Sequence, residues 1–215
     1  GLDRERVVSG VVLVVAIWLV INVVSYALLA FRGDAVALGL PASPTNGLPV
    51  GAPASQVVGM AVTLWIFVGI AEEFAFRGYL QNKVVAMLGG SNNRIRKAGA
   101  IFAGVLLFAL IHIPQRVLIG GVTSPVAIAQ SLLGIVLLGL VLGVLYEYTR
   151  NVVFVGVLHG TFNWQPIVVA GAPVSELALV VGIPVLVLTA WYYRRWASGK
   201  NAPEFSPQRQ LGVSR

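Results

Sequence analysis

"VVGMAVTLWIFVGIAEEFAFRGYL", residues 57 to 80, runs uncharged from Val57 to Ala71 and then places Glu72, Glu73 and Arg77 in quick succession. Whether this stretch is a soluble core helix or a membrane span decides the fold. The rest of the chain answers. Its 215 residues are 57% hydrophobic and only 11% charged, against roughly 45–50% apolar and about 25% charged in ordinary globular domains. Several runs reach the roughly 20 residues needed to cross about 30 Å of hydrocarbon. They are continuous rather than alternating, so the spanning elements are helices and not barrel strands, despite a valine content that favours strands in water. The fold class expected is all-α: a polytopic transmembrane helix bundle, in a multi-pass protein of the cell membrane.

We read about six spans, at residues 7–30, 56–80 with a helical extension towards 88, 98–114, 124–146, 151–169 and 174–193. Turn-rich segments such as "GGSNNRIRK" and "PQRVLIGGVTSP" separate them, and "EYTRN" and "AGAP" are short enough to make neighbouring helices antiparallel. Residues 1–196 are expected to form a single membrane-embedded domain. The polar stretch 197–215 reads as a flexible cytoplasmic tail. The apolar run at the start continues past residue 25 without a clear small-residue cleavage site, so it reads as a retained span rather than a signal peptide.

The net charge of +7 reports topology. With the amino terminus inside, the cytoplasmic segments hold Arg4, Arg6, Lys83, Arg94, Arg96, Lys97, Arg150, Arg194, Arg195 and the tail's basic residues, while the outer segments hold only Arg32 and Arg116. That bias places both termini in the cytoplasm. No basic patch with interleaved aromatics marks a nucleic-acid surface. The absence of cysteine excludes disulfides, thiolate metal sites and thiol nucleophiles.

Each charge at the centre of a membrane helix costs about 2.5–3.5 kcal/mol on insertion scales, so three together are not incidental. Glu73 and Arg77 are i and i+4 with the acid first, the favourable order for an ion pair on one face. Glu72 points about 100° away around the helix, which leaves it as a free intramembrane carboxylate and hence a candidate functional group. Both histidines of the chain, His112 and His159, also lie in apolar spans. Asn163 follows His159 by four residues on the same face, and Phe108 precedes His112 by four and packs beneath it. Counted along the helices from the nearest cytoplasmic basic residue, Glu72, His112 and His159 lie roughly 16, 22 and 13 Å deep, so three helices can bring them together. Gly156 with Gly160, and Gly139 with Gly143, give the small-xxx-small spacing that lets helices approach closely. Pro114 and Pro166 end or bend their helices just after the polar residues.

"EEFAFR", "FALIH" and "HGTFN" resemble, in order, the EExxxR, FxxxH and HxxxN motifs of the CPBP family, the CAAX proteases and bacteriocin-processing or Abi intramembrane proteases. The resemblance covers residues 56–170. It implies an intramembrane endopeptidase in which Glu72 and His112 activate a water, His159 and Asn163 stabilise the oxyanion, and Glu73 and Arg77 form a supporting pair. Its substrate is then a peptide or a membrane-associated protein, lipidated or not, and no cofactor is required.

The chemistry agrees with this: peptide hydrolysis needs a general base near the water and donors aimed at the developing negative oxygen. Two histidines and a glutamate are also a recognised catalytic zinc set, and family members have been described as metalloproteases. Glu72, His112 and His159 would then be the ligands, with Asn163 or Glu73 behind them. The metal-free route is preferred because the usual HExxH helix is absent. A transporter should show paired broken helices from internal repeats, and none is visible. A non-catalytic immunity or scaffold protein is the remaining alternative.

Overall fold

The computed structural model describes residues 4–39, 53–90, 93–170 and 182–198. All regular structure among them is helical: α1 (Arg4–Arg32), α2 (Ala54–Met87), α3 (Arg94–Leu110), α4 (Pro125–Thr149), α5 (Val152–Asn163) and α6 (Ile183–Ser198). By length and composition α1, α2, α3 with its continuation to Ile119, and α4 can each cross a membrane; α5, with 12 residues, is shorter. Part of the expected 174–193 span and nearly all of the tail 197–215 fall outside the described residues.

The helices are inside-out by the standards of a soluble protein. On α1, Gly10, Val14, Ile17, Trp18, Ile21, Ser25 and Leu29 form one buried stripe, while Val12, Val15, Leu19 and Val23 are exposed. Apolar side chains on the outer face have no penalty in lipid, and the protein is a multi-pass membrane protein.

The described residues divide into two compact units, one within 4–73 and 151–198, the other within 74–150. In the first, α5 is the centre, packed by α1 and by α2 up to Glu73. Asn151 caps α5, its side chain accepting from Phe154 N at 3.1 Å. After Asn163 the chain leaves the helix and pairs briefly with the segment following α1: Gly39 N donates to Val168 O and Ala170 N to Ala37 O, both at 2.9 Å. Pro166, which cannot continue a helix, lies in this extended stretch.

In the second unit α4 packs on α3 and on the end of α2. The small residues of α4 make this possible. A Cβ on Gly139 would lie 3.0 Å from Val105 and one on Gly143 would lie 3.1 Å from Gln81 and Ile101. The backbone carbonyls thereby exposed are used. Arg77 Nη2 donates to Gly139 O at 3.0 Å and Gln81 Nε2 to Gly143 O at 3.2 Å. Asn82 is buried and fully engaged, Nδ2 donating to Arg77 O, Gly78 O and the Tyr146 hydroxyl, while Oδ1 accepts from Arg150 Nη1 at 3.0 Å. Arg150 in turn donates to Glu147 at 2.6 Å, which explains how a non-glycine residue holds φ of 50° at the end of α4. Asn82→Leu, similar in volume but without polar atoms, is expected to lower stability by about 1–2 kcal/mol. Tyr146→Phe, which removes a single partner, should cost less than half of that in the same thermal unfolding series in detergent.

The long α2 departs from a regular α-helix. Residues Val62–Val68 and Phe74–Gln81 are π-helical, and they flank a short α-helical piece, Gly69–Glu73, that carries both glutamates. A π segment widens the helix and re-aims its side chains, and such segments recur at functional sites.

Candidate active site

Two helices of the first unit meet backbone to backbone. A Cβ at Gly69 would collide with Gly156 O and lie 2.6 Å from Gly160 N, and one at Gly160 would collide with Leu64 O and Trp65 Cα. Gly69, Gly156 and Gly160 thus let the backbones of α2 and α5 come together. Gly156 and Gly160 were legible as a close-approach pair, whereas their counterpart Gly69 carries no spacing signal of its own. Above and below this crossing, side chains reach directly across.

The crossing brings the glutamates to His159. Glu73 Oε1 lies 2.9 Å from His159 Nδ1, and Glu72 Oε2 lies 3.8 Å from His159 Nε2. The two carboxylates, separated by one helical step, therefore flank the two nitrogens of a single imidazole. A carboxylate facing Nδ1 accepts that nitrogen's proton as a hydrogen bond, which fixes the ring plane and aims Nε2 towards Glu72. The two acids differ in access: the Glu73 side chain is 0% exposed and the Glu72 side chain 31%, against 4% for His159. Glu73 is sealed in protein, and Glu72 can meet water or a substrate. Sequence spacing gave Glu73 to Arg77 and left Glu72 by itself; the structure adds that both acids converge on His159.

Asn163 is the last residue of α5, one turn beyond His159 and partly buried. The backbone leaves the helix immediately after it. Trp164 is fully buried, its ring stacked on Trp65 at 5.5 Å, and Trp65 Nε1 donates to Trp164 O at 2.8 Å. This tryptophan pair closes the end of the α2–α5 crossing, and nothing in the sequence spacing announced it.

Arg77, Phe108 and His112 belong to the second unit. The Arg77 guanidinium is buried and lies over the Phe108 ring at 4.5 Å. Phe108 also meets Phe76 and His112 edge to face, at 4.8 and 4.6 Å between centroids. The phenylalanine thus separates a cation from an imidazole and touches both. Helix α3 ends at Leu110, and His112 occupies the turn before the π-helical Gln115–Ile119. His112 Nδ1 lies 2.7 Å from Phe108 O. A carbonyl oxygen only accepts, so Nδ1 carries the proton and Nε2 holds a bare lone pair when the ring is neutral.

No curated protein and no solved structure matches the chain. A family model described as type II CAAX prenyl endopeptidase, Rce1-like, matches residues 54–165. That segment is about half of the chain and contains every motif residue named above. Family membership carries the general activity, proteolysis within the membrane, and with it a peptide or prenylated protein as the class of substrate. The chain belongs to the Rce1-like family of type II CAAX prenyl endopeptidases and is an intramembrane endopeptidase of the CAAX type.

Proposed function

We propose that the enzyme hydrolyses a peptide bond by a metal-free route in which Glu72 is the general base. The observation that carries this reading is the arrangement at His159, with a sealed carboxylate on Nδ1 and an accessible one facing Nε2. Water attacks the scissile carbonyl carbon while Glu72 takes up its proton. The carbonyl oxygen becomes negative and is met by hydrogen bonds from Asn163 and from His159 Nε2–H, the ring acting as an imidazolium whose Nδ1–H is held by Glu73, and each such donor lowers the barrier by about 2.7–4 kcal/mol. As the C–N bond breaks, the proton taken from water passes to the leaving amine. His112 enters through the FxxxH motif and its own bonding: with Nδ1–H committed to Phe108 O, its Nε2 lone pair can accept and return a proton. Arg77 and Phe108 support His112 rather than touch substrate. The test compares the membrane proteomes of cells expressing wild type and Glu72→Gln. Fragments with new carboxy termini that vanish in the variant identify the substrate; identical fragment sets would refute Glu72 as the base.

Zinc is the second reading, favoured by one feature of the same site. A histidine whose Nδ1 is held by a carboxylate and whose Nε2 points away is also how metal-bound imidazoles are oriented. Glu72, His112 and His159 would hold the ion, and it would supply a polarised water and a Lewis acid for the carbonyl oxygen. Among the described residues no three His, Asp or Glu side chains are grouped to hold an ion. Purified enzyme treated with a chelator and passed into metal-free buffer is expected to keep its full rate. A loss of more than about tenfold that zinc restores would replace the glutamate mechanism with the metal one.

A further inference from the structure

Helix α5 has a second face, turned away from the glutamates. Thr161 follows His159 by two residues and so points about 200° around the helix from it. It is buried, and its hydroxyl accepts a hydrogen bond from Trp18 Nε1 at 2.8 Å while donating to Leu158 O at 2.7 Å. The indole of α1 thereby ends a short chain of bonds on the carbonyl of the residue before His159. The same ring meets Phe162 edge to face at 6.3 Å.

One turn further along α1, Asn22 grips the chain just beyond Asn163. Its Nδ2 donates to Pro166 O at 3.0 Å and its Oδ1 accepts from Val168 N at 2.9 Å. At the opposite end Asn151 Nδ2 donates to Arg6 O at 2.9 Å, and Gly10 lets α1 come so near that a Cβ there would lie 2.9 Å from Phe154 N. Helix α1 therefore holds α5 by directional bonds before its first residue, in its last turn and after its last residue. Apolar packing alone tolerates small rotation and sliding of one helix on another; bonds at three heights do not.

We propose that Trp18 and Asn22, which lie outside the segment matched by the family model, are positioning residues for catalysis. They set the rotation and height of α5, and so the aim of His159 Nε2 and Asn163. This rests on the reading of that pair as the oxyanion site. A ring about 6 Å from a helix axis moves about 1 Å when the helix turns by about 10°, and a misplacement of about 1 Å can cost up to about a hundredfold in rate. Ground-state binding of the peptide through other contacts is untouched by such a shift, so the effect belongs in kcat.

The full chain in proteoliposomes, assayed with a quenched peptide spanning the cleavage site mapped in the proteome comparison, tests this. Trp18→Phe, which keeps an aromatic ring without the donor, is expected to lower kcat about tenfold with KM within twofold of wild type. Thr161→Val removes the same bond from the other side at equal volume and should show the same loss, and the double variant should be no slower than the slower single. If Trp18→Phe does not fold, Thr161→Val decides. Wild-type kcat per folded molecule in Thr161→Val, with only the unfolding midpoint lowered, would reduce α1 to a structural brace and overturn the proposal. His159→Ala in the same assay separates the two ideas. Full activity there would overturn the oxyanion reading itself, whereas a dead His159→Ala beside an unimpaired Thr161→Val would overturn only the positioning role.

Discussion

Glu72→Gln is expected to lower kcat/KM at least about a thousandfold, roughly 4 kcal/mol in the barrier, while the protein still inserts and folds. The substitution is almost isosteric and removes only the capacity to take a proton. The Glu72 side chain is 31% exposed and makes its closest approach to His159 at 3.8 Å, too long for a strong hydrogen bond, so little folding energy depends on its charge. Glu73→Gln provides the contrast. Glu73 is sealed and bonded to Nδ1 at 2.9 Å, and a glutamine oxygen can still accept that bond. Its expected loss is about ten- to a hundredfold, with some loss of stability because a buried amide NH2 replaces a carboxylate oxygen. Activity measured per folded molecule decides between them. If Glu72→Gln keeps more than a tenth of the rate, or if Glu73→Gln is the more damaging of the two, the general base has been assigned to the wrong carboxylate.

Why the sequence reveals so much of this site, and stops where it does, follows from what periodicity encodes. An apolar membrane helix makes each charge conspicuous, so Glu72, Glu73, Arg77, His112, His159 and Asn163 stand out without any structure, and their spacings place His159 and Asn163 on one face. The all-α class follows from the same apolar runs. Periodicity is a property of one helix, however, and the convergence of two acids on one ring depends on which helices cross and how closely. Gly69 decides that crossing and looks like any other membrane glycine. The π-helical stretches on either side of Glu72 are likewise invisible, because apolar residues read alike at 3.6 and at about 4.4 residues per turn. The apolar run carries the expected fifth span, 151–169, to residue 169, but α5 ends at Asn163 and the following chain is extended around Pro166. Apolar residues after a proline carry no mark of where the helix stops. Trp18 illustrates the same limit: its immediate neighbours Ile17 and Leu19 are apolar, and only the bond to Thr161, 143 positions away, sets the indole apart.

Gly160→Val is expected to destroy both the packing of the first unit and all cleavage, the largest structural effect of any single substitution considered. The space a Cβ would need is taken by Leu64 O and Trp65 Cα, with Trp65 O 2.8 Å away. All three are backbone atoms, so no rotamer change relieves the overlap, and α2 and α5 must separate. Overpacking a rigid site costs about 1–3 kcal/mol when side chains can adjust, and the cost here should exceed that range because they cannot. Separation also lengthens the Glu73–His159 bond, since both residues lie within a turn or two of the crossing. Gly59→Val is the matched control, in the same helix as Glu72 but with nothing within 4 Å of the added carbon. It should fold, stay monodisperse in detergent and cleave at a rate close to wild type. Equal unfolding midpoints for the two variants would mean that the helices do not meet at their glycines. The bracketing of His159 would then lose its structural cause, because no other feature of α2 brings two consecutive carboxylates within reach of one imidazole on α5.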